Sequence, residues 1–104
     1  MRAERLKGHL DMLVLATLRG SPAHGYVIIE RLKERSDGAF DLAEGTIYPV
    51  LHRLETDALL TSSWKVAGGR RRRVYQLTRI GRAALSVREQ DWNRFAAAVD
   101  AVLA

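Results

Sequence analysis

The stretch LLTSSWKVAGGRRRRVYQLT, residues 59 to 78, carries the clearest β-strand signal in the chain. Two runs of alternating side chains flank Gly68 and Gly69, a pair that supplies the positive φ angles of a tight hairpin turn. Alternation places two sets of residues on single strand faces: Leu60, Ser62, Trp64 and Val66 in the first run, and Arg73, Tyr75 and Leu77 in the second. The sequence therefore predicts one β-hairpin with arginines at its tip.

Helical spacing of apolar residues predicts two helices in the first third of the chain. The first covers residues 6 to 19 and is apolar on two faces, which is typical of a helix buried by its own core on one side and a partner subunit on the other. The second covers about residues 23 to 35, and Gly38 is available for a left-handed cap after it. Alternation of Phe40 and Leu42 in AFDL then predicts one brief strand.

A third helix is predicted over EGTIYPVLHRLE, residues 44 to 55, although proline normally breaks a helix interior. Ile47 stays in phase with Leu51 and Leu54, which favours a helix that runs through Pro49 over one that begins at it. The proline lies on the face turned away from the core, where solvent can satisfy the carbonyl it leaves unpaired. At the helix end, Ala58 replaces the usual glycine, so either the stop has another geometry or Ala58 is strained.

The last predicted helix covers roughly residues 79 to 103, with Thr78 as its N-cap. Its apolar side chains recur at alternating spacings of three and four, the repeat of a seam that packs against another helix. The expected fold is mainly α with a small β-hairpin. We expect residues 1–78 and the helical residues 79–104 to form one compact unit.

Charge and composition limit the function classes. The chain has 17 Lys and Arg against 12 Asp and Glu, a net charge of +5, which favours an anionic partner such as nucleic acid or a membrane surface. It has no cysteine and no phosphate-binding loop, and His9, His24 and His52 lie in different predicted elements without a paired carboxylate. We therefore expect no catalytic site, no metal and no cofactor. The absence of a long apolar run predicts a soluble, cytoplasmic protein.

Two short helices joined by a turn and followed by a basic hairpin form the winged helix-turn-helix arrangement, in which one helix enters the major groove and the wing grips the adjacent backbone. The third helix would present five residues to DNA: Thr46, Tyr48, Pro49, His52 and Arg53. Arg70, Arg71 and Arg72 are expected to reach phosphates, whereas strand alternation turns Arg73 partly inward, into an ion pair. An arginine-rich hairpin can also be merely solvated.

Several ordered motifs resemble the PadR family of bacterial transcriptional regulators: LKGHLDMLVLATL, PAHGY, EGTIYPVLHRLE, and GRRRRVYQLT followed by Gly81, with Trp92 in the last helix. The resemblance implies a homodimeric repressor, often of detoxification or efflux genes, from the short branch with a single C-terminal dimerisation helix. It implies that residues 45 to 55 are the recognition helix and residues 65 to 75 the wing, which adds Lys65 to the DNA contacts. Ala58 and Ile47 depart from the family's usual glycine and leucine.

A twofold dimer predicts a pseudo-palindromic operator with half-sites about one helical turn apart. The expected interface consists of Leu6, Leu10, Leu85, Trp92, Phe95, Val99 and Val102. The alternative is that the seam docks on the chain's own first helix. The resemblance also implies a possible small aromatic or lipophilic effector, on which Trp92 could stack, although plain interface packing is at least as good an explanation of this residue. The competing function is a nonspecific nucleic-acid-binding or protein-interaction winged helix.

Overall fold

The computed structural model describes residue 6 and residues 8 to 104, and only the backbone of Ala67. Most of this chain is helical, with a small three-stranded antiparallel sheet. In chain order the elements are α1 Leu10–Thr17, β1 Ala23–His24, α2 Gly25–Arg35, α3 Glu44–Thr56, β2 Leu60–Ala67, β3 Arg70–Leu77 and α4 Arg79–Leu103.

The hairpin prediction is confirmed. Strands β2 and β3 pair antiparallel from Leu60 opposite Leu77 to Ala67 opposite Arg70. Gly68 and Gly69 form the turn with φ angles of 58° and 76°, which only residues without a Cβ adopt readily in succession.

The predicted strand at AFDL is wrong, because residues 39 to 42 form no strand and Leu42 is instead buried in the core. The third strand is β1, whose two residues pair with Tyr75 and Val74 of β3. A strand of two residues has no alternation that a sequence pattern could detect.

The first helix is shorter than predicted. Gly8 has a φ of +93°, so the backbone turns there and α1 begins only at Leu10. Leu6 nevertheless packs into the core, and its carbonyl accepts a hydrogen bond from the His9 N–H at 2.8 Å. Val14 and Leu15 of α1 are fully buried. The core also takes in the inner faces of α2 and α3 and the base of the hairpin.

Helix α3 runs through Pro49 as predicted, because Ile47, Leu51 and Leu54 are buried on one side while Pro49 is exposed on the other. The open question at Ala58 is resolved in favour of strain, since this residue has a φ of 63°. A left-handed conformation costs an alanine roughly 1–2 kcal/mol. It allows the Leu59 N–H to donate to the Leu54 carbonyl at 2.9 Å and leads the chain directly into β2.

Thr78 caps α4 as predicted, its Oγ1 accepting from the Gly81 N–H at 2.9 Å and donating to the Ala58 carbonyl at 2.6 Å. A Cβ at Gly81 would lie 2.0 Å from the Leu59 carbonyl oxygen, so the start of α4 can approach the segment between α3 and β2 only with glycine there. This close contact fixes where α4 leaves the rest of the fold.

Three of the seven residues expected at a dimer interface are buried in the chain's own core: Leu6, Leu10 and Leu85. They retain almost no surface for a partner, because all three belong to the buried core cluster of the chain. The other four lie further along α4 and are exposed: Trp92, Phe95, Val99 and Val102.

Candidate nucleic-acid interface

The outer face of α3 presents most of the residues that the sequence predicted for it. Pro49 and His52 are exposed, whereas Thr46 and Tyr48 are half-buried. Burial of the opposite face fixes this rotation of the helix, because its four buried side chains recur at spacings of one, three and four residues: Ile47, Val50, Leu51 and Leu54.

Tyr48 is held by close packing between α3 and the start of α2. A Cβ built on Gly25 would lie 2.6 Å from the Tyr48 ring, so any side chain at Gly25 would displace the tyrosine. The ring centroids of Tyr48 and His52 are 6.5 Å apart. Glycine at the first residue of α2 therefore sets the position of an aromatic side chain on the outer face of α3.

The hairpin register divides the four wing arginines between two faces. Arg71 and Arg73 share a face with Trp64, and their guanidinium carbons lie 4.7 and 5.3 Å from the centroid of its ring. Trp64 is half-exposed, so this is a surface cation–π cluster. Arg73 also pairs with Glu55 of α3 at 3.6 Å, which confirms the predicted inward ion pair.

Below this cluster, Tyr75 is almost fully buried at the base of the wing. Burial raises the pKa of its hydroxyl, and the carboxylate of Glu55 raises it further. The phenol therefore stays neutral, and the buried end of the wing carries no negative charge of its own.

Between the wing and the start of α3 lies a cleft of about 410 Å³, lined by His24, Tyr48, Trp64, Arg70, Arg71, Arg72 and Arg73. We call it the basic cleft. In the part of the chain that the structure describes, no carboxylate forms an ion pair with Arg70, Arg71 or Arg72. Lys65, directly across the ladder from Arg72, is also exposed and unpaired within that part. The cleft therefore has a strong positive potential and suits an anionic ligand.

The sequence did not identify two residues of the basic cleft, His24 and Trp64. His24 enters through the pairing of β1 with β3, and its Nε2 lies 3.4 Å from Nη1 of Arg72. Burial, and then the charge of Arg72, lower the pKa of His24, while Glu30 acts in the opposite direction. The alternation that placed Trp64 on the Arg73 face was visible in the sequence and is the signal that could have found it.

Arg53 does not line the basic cleft. It pairs with Asp11 of α1, whose other carboxylate oxygen lies 3.5 Å from Arg88 of α4. The three side chains belong to a second cavity of about 510 Å³, which we call the aromatic crevice, lined by Gly8, His9, Asp11, Met12, Arg53, Arg88, Asp91, Trp92 and Phe95.

Two aromatic contacts define this crevice. The His9 and Trp92 rings meet edge to face at 5.3 Å, and the Trp92 and Phe95 centroids are 5.9 Å apart. Trp92 thus lies in a cavity that also holds the side chain of Arg53, between the end of α3 and the middle of α4.

A helix presented on the surface beside a basic, two-stranded wing defines the winged helix-turn-helix class, and α2, α3 and the β2–β3 hairpin have this arrangement. The profile of the transcriptional regulator PadR-like family matches residues 14–87. The chain belongs to this family. Its members are transcriptional regulators rather than enzymes, which confirms the expectation that the chain has no catalytic function.

Three similar proteins illustrate the relationship. A PadR family transcriptional regulator from Eggerthella lenta has a TM-score of 0.80 and 35% identity, covering 97% of this chain and 87% of its own. Bacillus subtilis PadR, solved in complex with operator DNA, has a TM-score of 0.68 and 27% identity, with 81% and 46% covered. A transcriptional regulator of Mycobacterium tuberculosis is 52% identical over 54 residues, which is 52% of this chain and 50% of that protein.

Among the described residues, no group of three or more His, Asp or Glu side chains is arranged to hold a metal ion. No helix in the same part of the chain combines the length and the apolar character needed to cross a bilayer.

Proposed function

We propose that this protein is a sequence-specific DNA-binding regulator, a cytoplasmic homodimer that represses transcription. Helix α3 would enter the major groove, and the wing would lie against the adjacent backbone. The observation that carries the proposal is the basic cleft, which joins Tyr48 of α3 to three wing arginines that no carboxylate of the described chain neutralises. The operator complex of the related Bacillus subtilis protein supports it.

The residues have different roles in this proposal. Lys65, Arg70, Arg71 and Arg72 contact phosphates, which positions the protein on the duplex without reading its sequence. Thr46, Tyr48, Pro49 and His52 of α3 face the groove, where hydroxyl and imidazole groups hydrogen-bond to base edges and the proline ring packs on a thymine methyl group. Arg53 reaches DNA from the Asp11 side of the helix, after exchanging its carboxylate partner for a base edge or a phosphate.

Dimerisation is proposed through the second half of α4. Trp92, Phe95, Val99 and Val102 expose between 37% and 85% of their surface and follow one another at spacings of three and four residues. Such a stripe is unfavourable in water unless a second copy of the helix covers it. The resulting twofold axis would place two α3 helices on half-sites about one helical turn apart.

The aromatic crevice is the proposed site of an effector that releases the protein from its operator. Trp92, Phe95 and His9 offer ring faces to a planar aromatic or lipophilic molecule, and Trp92 lies at the start of the proposed dimer stripe. Titration with planar aromatic compounds should weaken operator binding and quench tryptophan fluorescence saturably, both in the wild-type protein and in Trp64→Phe, whose one tryptophan is Trp92. Absence of both effects would leave Trp92 with interface packing alone.

Sequence preference under salt tests the DNA-binding proposal. The protein should bind a duplex from its own upstream region at moderate salt and release a shuffled duplex of equal length. Equal loss from both duplexes would instead support the alternative, a nonspecific nucleic-acid binder. Failure to bind either duplex at low salt would favour a protein-interaction winged helix.

Two single substitutions separate the assigned roles. We expect Arg53→Ala to weaken the specific complex more than the nonspecific one, because Arg53 is assigned to α3 and its readout. We expect Arg71→Ala to weaken both complexes to similar degrees, because a phosphate contact is present on any sequence. Equal effects from both substitutions would contradict these roles.

A further inference from the structure

His24 occupies a place in the basic cleft that only the sheet explains. It is the last residue of β1 and stands opposite Val74 of β3, so its ring reaches Arg72, which lies 48 residues away in sequence. Nε2 of the ring is 3.4 Å from Nη1 of the guanidinium. A guanidinium can only donate hydrogen bonds, so this contact requires a lone pair on Nε2 and a neutral ring with its proton on Nδ1.

The charged and titratable groups around His24 come from three elements. Arg72 faces it from β3, and Tyr48 lines the same cleft from α3. From α2, Glu30 acts on it electrostatically, and the Tyr26 ring stacks at 6.4 Å with an interplanar angle of 18°. Desolvation and Arg72 together outweigh Glu30 and lower the pKa of His24, so the ring is neutral in the free protein at pH 7.

A bound phosphate group would instead favour the protonated form of His24. A phosphodiester oxygen carries negative charge and only accepts hydrogen bonds, whereas a protonated imidazole and a guanidinium only donate them. Two cations at 3.4 Å repel each other in the free protein, but an anion between them makes both charges favourable. The wing arginines and Tyr48 enclose the space in front of this pair, which is where the backbone of a bound duplex would pass.

We infer that His24 and Arg72 together bind a backbone phosphate of duplex DNA and that His24 takes up a proton when they do so. This inference rests on the proposed function, since it requires the basic cleft to face a duplex. It makes His24 a DNA-contacting residue outside both α3 and the wing, and it makes operator affinity depend on pH.

The sign of the pH dependence follows from the two pKa values of His24. Its pKa is lowered in the free protein and raised by the phosphate in the complex, so the complex binds more protons than the free components between these values. Affinity therefore rises as pH falls through that interval. Each unit of difference between the two pKa values is worth up to about tenfold in affinity.

The first test measures the proton directly. Ring C–H resonances of the full-length protein are titrated from about pH 5.5 to 8, the range in which histidines change charge, without and with the operator duplex at constant ionic strength. His24→Gln and His9→Gln variants assign the signals. We expect the duplex to raise the midpoint of His24 by about one unit or more. A midpoint of His24 that stays the same or falls would overturn the inference.

The second test measures the consequence by fluorescence anisotropy with labelled duplex over the same pH range. Affinity of the wild-type protein should fall towards high pH by about tenfold for each His24 that contacts the duplex, whereas His24→Gln should have a flatter profile. Coincident profiles for wild type and His24→Gln would overturn the inference and leave the proposed function intact. If the wild-type protein binds no duplex at any pH, the proposed function fails and the inference with it.

A third arm replaces the duplex with inorganic phosphate at the same ionic strength. The inference expects a clearly smaller shift of the His24 midpoint than with duplex, because the wing and α3 hold the backbone phosphate in place only when a duplex is bound. A shift with inorganic phosphate and none with duplex would assign the pair to a free anion and overturn the DNA contact.

Discussion

The basic cleft and the aromatic crevice lie on different sides of α3, and both contain arginines. They differ in whether carboxylates pair with those arginines. In the cleft, Arg70, Arg71 and Arg72 have no carboxylate partner within the described chain. In the crevice, Asp11 pairs with both Arg53 and Arg88. The number of arginines in a region therefore does not by itself indicate an anion-binding surface. Charge that the protein leaves uncompensated is the better indicator.

The largest expected effect comes from removing that uncompensated charge. The double substitution Arg70→Ala, Arg72→Ala removes two proposed phosphate contacts from each protomer and therefore four from a dimer. It should reduce the slope of log affinity against log salt by about 3.6 and weaken duplex binding by more than about 10³-fold at 0.1 M salt, because each lost phosphate contact is worth about 0.9 in slope. Anisotropy titrations at several salt concentrations measure both quantities.

A matched control removes the same charge from the crevice side. Arg88→Ala, Arg94→Ala deletes two arginines that are paired with Asp11 and Asp91. Its effect on duplex affinity should be several times smaller, provided that sedimentation shows an unchanged oligomeric state. An equal loss of affinity from both double substitutions would mean that net charge, rather than the basic cleft, drives duplex binding.

A smaller effect, on stability, is expected at the floor of the cleft. Gly25→Ala should lower the free energy of unfolding by about 1–3 kcal/mol, because its Cβ would meet the Tyr48 ring at 2.6 Å. Thermal and urea unfolding measure the change. In a Tyr48→Ala background the same substitution should cost much less, since the obstacle is gone.

Gly45→Ala is the matched control for that prediction. Gly45 is helical, and a Cβ there meets nothing within 4 Å, so alanine should stabilise α3 by roughly 0.5–1 kcal/mol. Equal destabilisation by Gly25→Ala with and without the Tyr48 ring would show that the close packing is not the cause.

The smallest effect is expected at Asp11. Asp11→Asn should lower the free energy of unfolding by less than about 1 kcal/mol, because the arginines it pairs with are roughly half-exposed and water screens them. It should also raise duplex affinity modestly, since it frees Arg53 and removes one negative charge. Chemical unfolding and anisotropy follow the two quantities.

Weaker DNA binding by Asp11→Asn would instead mean that Asp11 holds Arg53 in the position that DNA requires. Asp91→Asn is the control, since its only ion pair in the described chain is with Arg94, three residues along α4. It should change neither the stability nor the affinity appreciably.

Most of the fold was predictable because its signals are local. Helix α3 running through Pro49, the Gly68–Gly69 turn, the Thr78 cap and the ion pair of Arg73 all follow from periodicities of two or about 3.6 residues, or from a cap at a fixed offset. The predicted start of the first helix is wrong, because the positive φ of Gly8 prevents the helix from extending towards the N-terminus. A glycine within an apolar helical pattern leaves both outcomes open, and packing decides between them.

The sequence predicted individual residues of the candidate site but not how those residues are arranged in space. The sequence singled out Tyr48 and the wing arginines, and the structure brings them together with His24 and Trp64. It also separates Arg53 from them and pairs it with Asp11, 42 residues away. Neither β1 nor that ion pair leaves a repeating pattern in the sequence, because each depends on two distant segments that happen to pack side by side.

The class of fold, the position of helix α3 and the basic character of the wing follow from the sequence alone, since side-chain alternation and helical spacing act over a few residues. Only the tertiary structure decided which positive charges stay uncompensated and which histidine stands beside an arginine. Those properties depend on distances of a few ångströms between segments that are far apart in the chain, and the interaction energy of two charges depends on their separation in space rather than in sequence.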